Sequence, residues 1–421
     1  MAESIKMPVP EQTSPDLSPW APLGEPLFRS LWIAAVISYT GTWMQNVGAG
    51  WMMTTLTTSP LKVSLVQAAA TLPVFLVILP AGALADIIDR RKLLLATQWW
   101  MVVASAILGL LTILGWVTPT ILLLFTFLLG LGAVMNDPAW QAITPEIVSA
   151  EQHPSAVALN SAGFNVARAV GPALGGMIVA AAGCGTTFLL NALSFFGVIL
   201  FLYHWKRPSP ERVETGRVVD AIWGGVRYVR QSSVVKSVLI RTGAFSFGAS
   251  SLLALLPVIA RPHGATGYGL MLGSFGLGAL AGAAVLPRVR RQLSVDALVA
   301  FAIIIFAVAT VAAGEVKEFA PLCFVLFIAG TAWIGILACL NVAAQTMCPD
   351  WVRARALSMY LLVLQGGMAV GSAAWGALAT RFGLSSAMFC SSLALILGLA
   401  TIRKHRLSAT HLHMAPAVVR D

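Results

Sequence analysis

The stretch Gly82-Ala83-Leu84-Ala85-Asp86-Ile87-Ile88-Asp89-Arg90-Arg91-Lys92 joins two apolar runs, each of membrane length. It packs an acid, a tight turn and three cations into one short connection. A loop this short and basic between two spans is expected on the cytoplasmic side of a membrane. The spacing returns two hundred residues later as Gly282, Arg290 and Arg291. That recurrence indicates a chain built twice.

The rest of the chain fits a polytopic membrane protein. Of its 421 residues, 58% are hydrophobic and only 10% are charged, against about 25% charged in a soluble domain. The mean hydropathy is +0.83. The net charge of +10 is not spread as a nucleic-acid surface would need. Of the 27 Lys and Arg, 21 fall in the tails and in alternate loops on one side. Four (Lys62, Arg261, Lys317 and Arg381) fall on the other, and Arg168 and Arg241 lie within spans. This is the positive-inside pattern, with both termini cytoplasmic. The five cysteines are odd in number, scattered among apolar runs and without metal spacing, so they read as small buried hydrophobes.

A bilayer core takes about 20 apolar residues per helix. Twelve spans are predicted, near 29–54, 61–85, 93–115, 119–142, 156–181, 186–205, 237–260, 267–287, 295–314, 320–347, 356–380 and 385–403. The predicted fold class is therefore all-α, with two pseudo-symmetric six-helix halves at 27–205 and 237–404. Residues 1–26 carry six prolines and lack the apolar run of a signal peptide. They are expected to form a disordered cytoplasmic tail. The connection 206–236 carries seven cations, and Ile222, Val226 and Val229 share one helical face. It reads as an amphipathic helix on the inner leaflet, or as a plain charged linker. The tail 405–421 holds His405, His411 and His413, which are read as incidental rather than as a metal site.

Gly82, Leu84, Asp86, Arg90 and Arg91 resemble the loop 2–3 signature of the major facilitator superfamily. This chain has Ile87 where the family usually has a basic residue, and Asp89 where it usually has glycine. Leu-Ala-Asp-x-x-Asp-Arg-Arg is similar to the branch holding the enterobactin exporter and related drug-efflux-like proteins. The resemblance implies that Asp86 meets the start of the eleventh helix, near Ala356, and closes the inner face. The gating set is then Gly82, Asp86, Arg90, Arg91, Gly282, Arg290 and Arg291; the alternative is cations that only set topology. Gly171, Pro172, Gly175 and Gly176 in the fifth span resemble the antiporter signature of proton-coupled exporters. The alternative is ordinary small-residue packing, since small residues let membrane helices approach closely.

Ionisable and amide side chains within spans supply the remaining candidates. A charge facing lipid at the bilayer centre costs about 2.5–3.5 kcal/mol, so Asp137, Arg168 and Arg241 are expected to face a cavity or a partner. Asp137 and Arg168 are assigned to proton coupling. Apolar surroundings would favour the protonated acid, and approach of Arg168 the ionised one. Their depths differ by about 10 Å, roughly two helical turns. The alternative is a fixed structural ion pair. Substrate contacts are assigned to Trp43, Gln45, Asn46, Asn136, Asn165, Arg241, Asn341, Gln345 and Gln365, with Trp51, Trp140 and Trp333 nearby. The alternative for each is an interhelical hydrogen bond or an interfacial belt.

No lysine follows a glycine, so the chain has no phosphate-binding P-loop, and none of the six histidines lies mid-span. No enzymatic activity and no cofactor are expected. Taken with the resemblance, the residues point to a monomeric, proton-coupled exporter of a small amphipathic compound, siderophore or drug-like, in the bacterial inner membrane. Its partners would be the small-molecule substrate, protons and membrane lipids. Two alternatives stay open: a lysophospholipid or solute transporter of the same fold, and a non-transporting membrane receptor or assembly partner.

Overall fold

Turn chemistry sets where the apolar runs start and stop. In the loop 82–92, the Asp89 carboxylate accepts hydrogen bonds from the backbone N–H groups of Arg91 (2.9 Å) and Lys92 (3.2 Å). It thereby satisfies donors that the start of a helix leaves open. Thr118 and Ser294 cap two further helices in the same way. Gly183 (φ 81°) and Gly383 (φ 89°) each turn the chain between two helices in a single residue. A side chain at that positive φ would be strained.

The computed structural model describes residues 18–205, 232–346 and 350–404, with the side chains of 79, 80, 82–87, 233, 234, 350–352, 354, 403 and 404 outside the described set. The first half holds α1 (Pro26–Leu56), α2 (Pro60–Ile87), α3 (Arg90–Ile113), α4 (Pro119–Ile147), α5 (His153–Ala182) and α6 (Cys184–His204). The second holds α7 (Ser233–Ile259), α8 (Gly264–Val289), α9 (Val295–Glu315), α10 (Phe319–Thr346), α11 (Asp350–Phe382) and α12 (Leu384–Gly398). Ten of these are long and apolar enough to cross a membrane. The other two are α12, with 15 residues, and α1, whose apolar run is interrupted by Thr40, Thr42, Gln45 and Asn46. The chain is an all-α, multi-pass membrane protein.

The spans fall within a few residues of expectation, with three exceptions. The fourth runs on to Ile147, past the expected 142, the eleventh starts six residues earlier than the expected 356, and the twelfth ends at Gly398, before a separate short turn of helix at Thr401–Lys404. Residues 21–24, expected within the disordered tail, form a 3₁₀ turn with Pro22 buried. Ile222, Val226 and Val229 of the amphipathic helix expected in the connection 206–236, and the histidine tail, lie outside the described residues.

Packing repeats between the halves. In the first half α1 lies against α5 and α6, α3 against α4 and α6, and α2 against α4. In the second half α7 lies against α11 and α12, α9 against α10 and α12, and α8 against α10. The halves meet through α2–α11 and α5–α8, the same pair of positions exchanged.

Glycines make the α5–α8 seam. A Cβ on Gly176 would stand 2.6 Å from the Ala265 carbonyl oxygen and 2.9 Å from Gly269 Cα. One on Gly276 would stand 2.8 Å from the Arg168 carbonyl oxygen and 3.0 Å from Ala169 Cα. Neighbouring Gly175 faces the other way, where its Cβ would stand 2.8 Å from Met44 Cα in α1. The second half repeats the pattern. Gly371 abuts Phe247 and Ser250 of α7, and Gly376 abuts Leu61 and Ser64 of α2.

Each half also has its own polar core. Gln45 is buried and its carbonyl oxygen accepts from Ser105 and Asn191, both at 2.6 Å, tying α1 to α3 and α6. In the second half the Ser251 and Ser391 hydroxyls meet at 2.7 Å between α7 and α12.

These contacts predict three distinct outcomes. Gln45→Ala should cost about 0.6–1.7 kcal/mol and lower the thermal unfolding midpoint of the purified protein. Gly175→Leu should split α5 from α1 and reduce the amount of folded protein, read by size-exclusion of a fluorescent fusion. Gly176→Leu should leave folded protein but part the halves, read as increased thiol labelling of a cysteine placed at the buried Ala265 of the seam in an otherwise cysteine-free protein. Unchanged labelling there would mean that α8 yields without the halves separating.

Candidate functional site: the cavity between the halves

One end of the bundle carries the short turns 57–59, 114–118, 183, 260–263, 316–318 and 383. The other end carries the basic turns. At the short-turn end the halves are latched. Arg261 donates to the carbonyl oxygens of Thr57 (2.8 Å) and Thr58 (3.3 Å), where α1 ends. A cation there also meets the negative end of the helix dipole. The Leu61 backbone N–H donates to the Thr380 hydroxyl at 3.0 Å, and Trp51 stacks on Tyr268 with ring centres 6.3 Å apart.

Beneath these contacts lies a cavity of ≈ 350 Å³. Trp43, Phe164, Tyr268, Phe275 and Trp333 supply its aromatic wall. Asn46, Gln67 and Gln365 present amides from α1, α2 and α11. Arg168 is the one charged residue among the described lining residues. It sits midway along α5, its guanidinium 5.9 Å from the centre of the Phe275 ring on α8. Toward the basic end, Phe164 is 40% exposed and packs edge-on against Tyr39 and Trp43. Trp140 meets Tyr39 in the same way.

Asp137 lies next to this ring cluster, within electrostatic reach of Tyr39. It is exposed. Asp137 and Arg168 form no ion pair with each other in this structure. Counted from the basic ends of their helices at 1.5 Å per residue, Asp137 lies about 15 Å in and Arg168 about 22 Å in.

Several expected substrate contacts are seated elsewhere. Gln45 belongs to the first-half core. The carbonyl oxygen of Asn136 accepts from Thr97 (3.2 Å) and Gln98 (3.1 Å) of α3. Asn165 donates to the Ser161 carbonyl one turn back. Gln345 donates to Asn341 on its own helix, and its backbone oxygen accepts from Arg353. Arg241 is buried in an ion pair with Asp296 of α9, inside the second half. Each is a polar group in an apolar setting, and each lies where a neighbour could satisfy it. Trp43, Asn46 and Gln365 line the cavity.

The gating candidates divide as well. Arg90 pairs with Glu146 of α4 at 2.8 Å. Arg91 donates to the Leu202 (2.6 Å) and Tyr203 (3.1 Å) carbonyls at the end of α6. Both therefore brace the first half internally. Gly282 packs against Thr331 and Ile334 of α10, while Arg290 and Arg291 stand exposed at the end of α8. The Gly82 and Asp86 side-chain positions lie outside the described set. Pro172 and Gly176 form the seam with α8, and Gly171 and Gly175 face α1.

Sequence reasoning missed Gln67, Tyr268 and Phe275. Gln67 had a signal, as the only amide side chain in α2. The rings had none, because aromatic residues in spans are common. The pair Gly371 and Gly376 was also missed, although it repeats the spacing of Gly171 and Gly176 two hundred residues on.

Comparison with known proteins agrees with this architecture. The chain is 26% identical over 400 residues to the multidrug efflux pump Tap of Mycolicibacterium fortuitum, covering 91% of this chain and 97% of that one. It is 26% identical over 266 residues to the staphyloferrin A transporter of Staphylococcus aureus, covering 62% of this chain and 66% of that one. It is 23% identical to the enterobactin exporter EntS of Citrobacter koseri, covering 84% and 85%. Among solved structures, an inward-facing, occupied bacterial homologue of the lysosomal transporter Spinster superposes with a TM-score of 0.73 at 14% identity, covering 91% and 97%. The nucleoside transporter NupG gives 0.69 at 12%, covering 90% and 99%. Residues 17–418 match the family of transmembrane secretion effectors, and the chain belongs to this family of major facilitator transporters, which are not enzymes.

Proposed function

We propose that this transporter exports a small amphipathic compound, siderophore or drug-like, from the bacterial cytoplasm in exchange for protons. The observation that carries the reading is the cavity between the halves, walled by rings and amides and latched at the short-turn end. With the basic end cytoplasmic, as the charge asymmetry supports, this is the state that would load from inside. The drug and siderophore transporters among its relatives support the substrate class. The protein works as a monomer in the inner membrane, its termini in the cytoplasm.

Asp137 is the proton carrier in this reading. It is an acid within a span, exposed beside the cavity's ring cluster and clear of Arg168. A group so placed exchanges protons with whichever side the cavity faces. It then loads on the return leg, after substrate has left.

A screen of siderophores and macrolides for efflux from cells expressing the protein tests the export reading itself. With the exported compound in hand, Asp137→Asn should lose at least about tenfold in pH-gradient-driven export, about 1.4 kcal/mol of coupling, while retaining energy-independent exchange. Retention of driven export by Asp137→Asn would remove the carboxylate as carrier. Asp86→Asn should be inserted normally yet transport slowly, because the outward-open state loses its inner latch. A wild-type rate in that variant would exclude the latch.

A further inference from the structure

We infer that the transported compounds carry an anionic group, and that Arg168 is the residue that receives it. This deepens the export reading and depends on it only for direction.

The argument starts from what the cavity leaves unsatisfied. Most of its wall is aliphatic and aromatic. An arginine in such a place ordinarily meets a carboxylate, as Arg241 meets Asp296 inside the second half. Arg168 forms no ion pair with any described residue, and the cavity lining holds no described acid to offset it. Its guanidinium lies over the Phe275 ring across the seam. A guanidinium over a ring face keeps its in-plane N–H groups free, and those form the fork that binds a carboxylate or phosphate in two-point fashion. The amides of Asn46, Gln67 and Gln365 add neutral donors and acceptors around it. The site thus offers one fixed positive charge and flat apolar surfaces, which matches an aromatic or acyl body bearing a carboxylate or similar acid.

The position of Arg168 adds a second reason. Its backbone oxygen is pressed against Gly276 at the seam, which anchors its Cα at the interface between the halves. The charge is therefore held at the centre of the substrate path. Asp137 stands apart, by the rings of Tyr39, Trp140 and Phe164. The outward leg then carries the anion at Arg168, with the inside-negative potential favouring its exit. The return leg carries the proton at Asp137.

The test uses two probes of one shape, naphthalene-2-carboxylate and naphthalene-2-carboxamide, in equilibrium binding to the full-length protein in nanodiscs of zwitterionic lipid. Wild type should bind the carboxylate about tenfold or more tightly than the carboxamide, as expected for a charge-assisted pair. R168Q should abolish that preference, and R168K should keep part of it. If R168Q fails to fold, the wild-type ratio and R168K still decide the matter. Equal binding of the two probes by wild type, or an undiminished preference in R168Q, overturns the anion assignment. So does the lack of saturable binding of either probe. Efflux of neutral or cationic compounds in the cell-based screen would at the same time leave the export reading standing, so the two failures can be told apart.

Discussion

Backbone-to-backbone contact between α5 and α8 is the constraint on which the rest depends. Lipid tails give two apolar helices no hydrophobic reason to associate, so close packing must supply the attraction. Gly176 and Gly269 remove the side chains that would hold the helices apart, and Gly276 does the same beside Arg168. The seam therefore brings Arg168 and Phe275 together across the interface. Together with the α2–α11 contact at Gly376, it sets the width of the cavity between the halves. A larger residue at Gly176 meets main-chain atoms, which cannot turn aside as a side-chain tip can.

The polar residues within the spans are sorted by the same economy of space. Within each half, helices approach closely enough for amides and hydroxyls to find partners. Gln45 finds Ser105 and Asn191, Asn136 finds Thr97 and Gln98, and Arg241 finds Asp296. Between the halves the helices diverge below the latch. There Asn46, Gln67, Arg168 and Gln365 face open space. A polar group is costly in either place unless something answers it. In the cores the answer is another side chain; in the cavity it is water or a substrate. This division separates residues that tie helices together within a half from residues left open to the cavity.

The basic turns illustrate a similar division. Arg90 and Arg91 grip Glu146 and the end of α6 within the first half. They keep α3, α4 and α6 together at the basic end. Asp89 caps α3 by accepting from the backbone N–H groups of Arg91 and Lys92. At the opposite end the latch consists of main-chain carbonyls, a hydroxyl and two stacked rings. Each of those contacts is individually weak.

The amino-acid sequence by itself determined the membrane class, the twelve helices and the doubling of the chain. Those follow from the length of apolar runs, from the one-sided placement of Lys and Arg, and from Gly82 and Gly282 at matching places. It also marked α5 as a packing helix through Gly171 to Gly176. What it left open was the use of each polar residue. Gln45 and Asn46 are adjacent in the chain, and an α-helix turns about 100° from one residue to the next. One therefore points into a core and the other into the cavity, and only the arrangement of neighbouring helices decides which. Arg168 and Arg241 look alike as cations in spans. The tertiary structure gives Arg241 a partner from α9 and gives Arg168 a ring from the opposite half, because the first lies inside one six-helix body and the second at the seam between two.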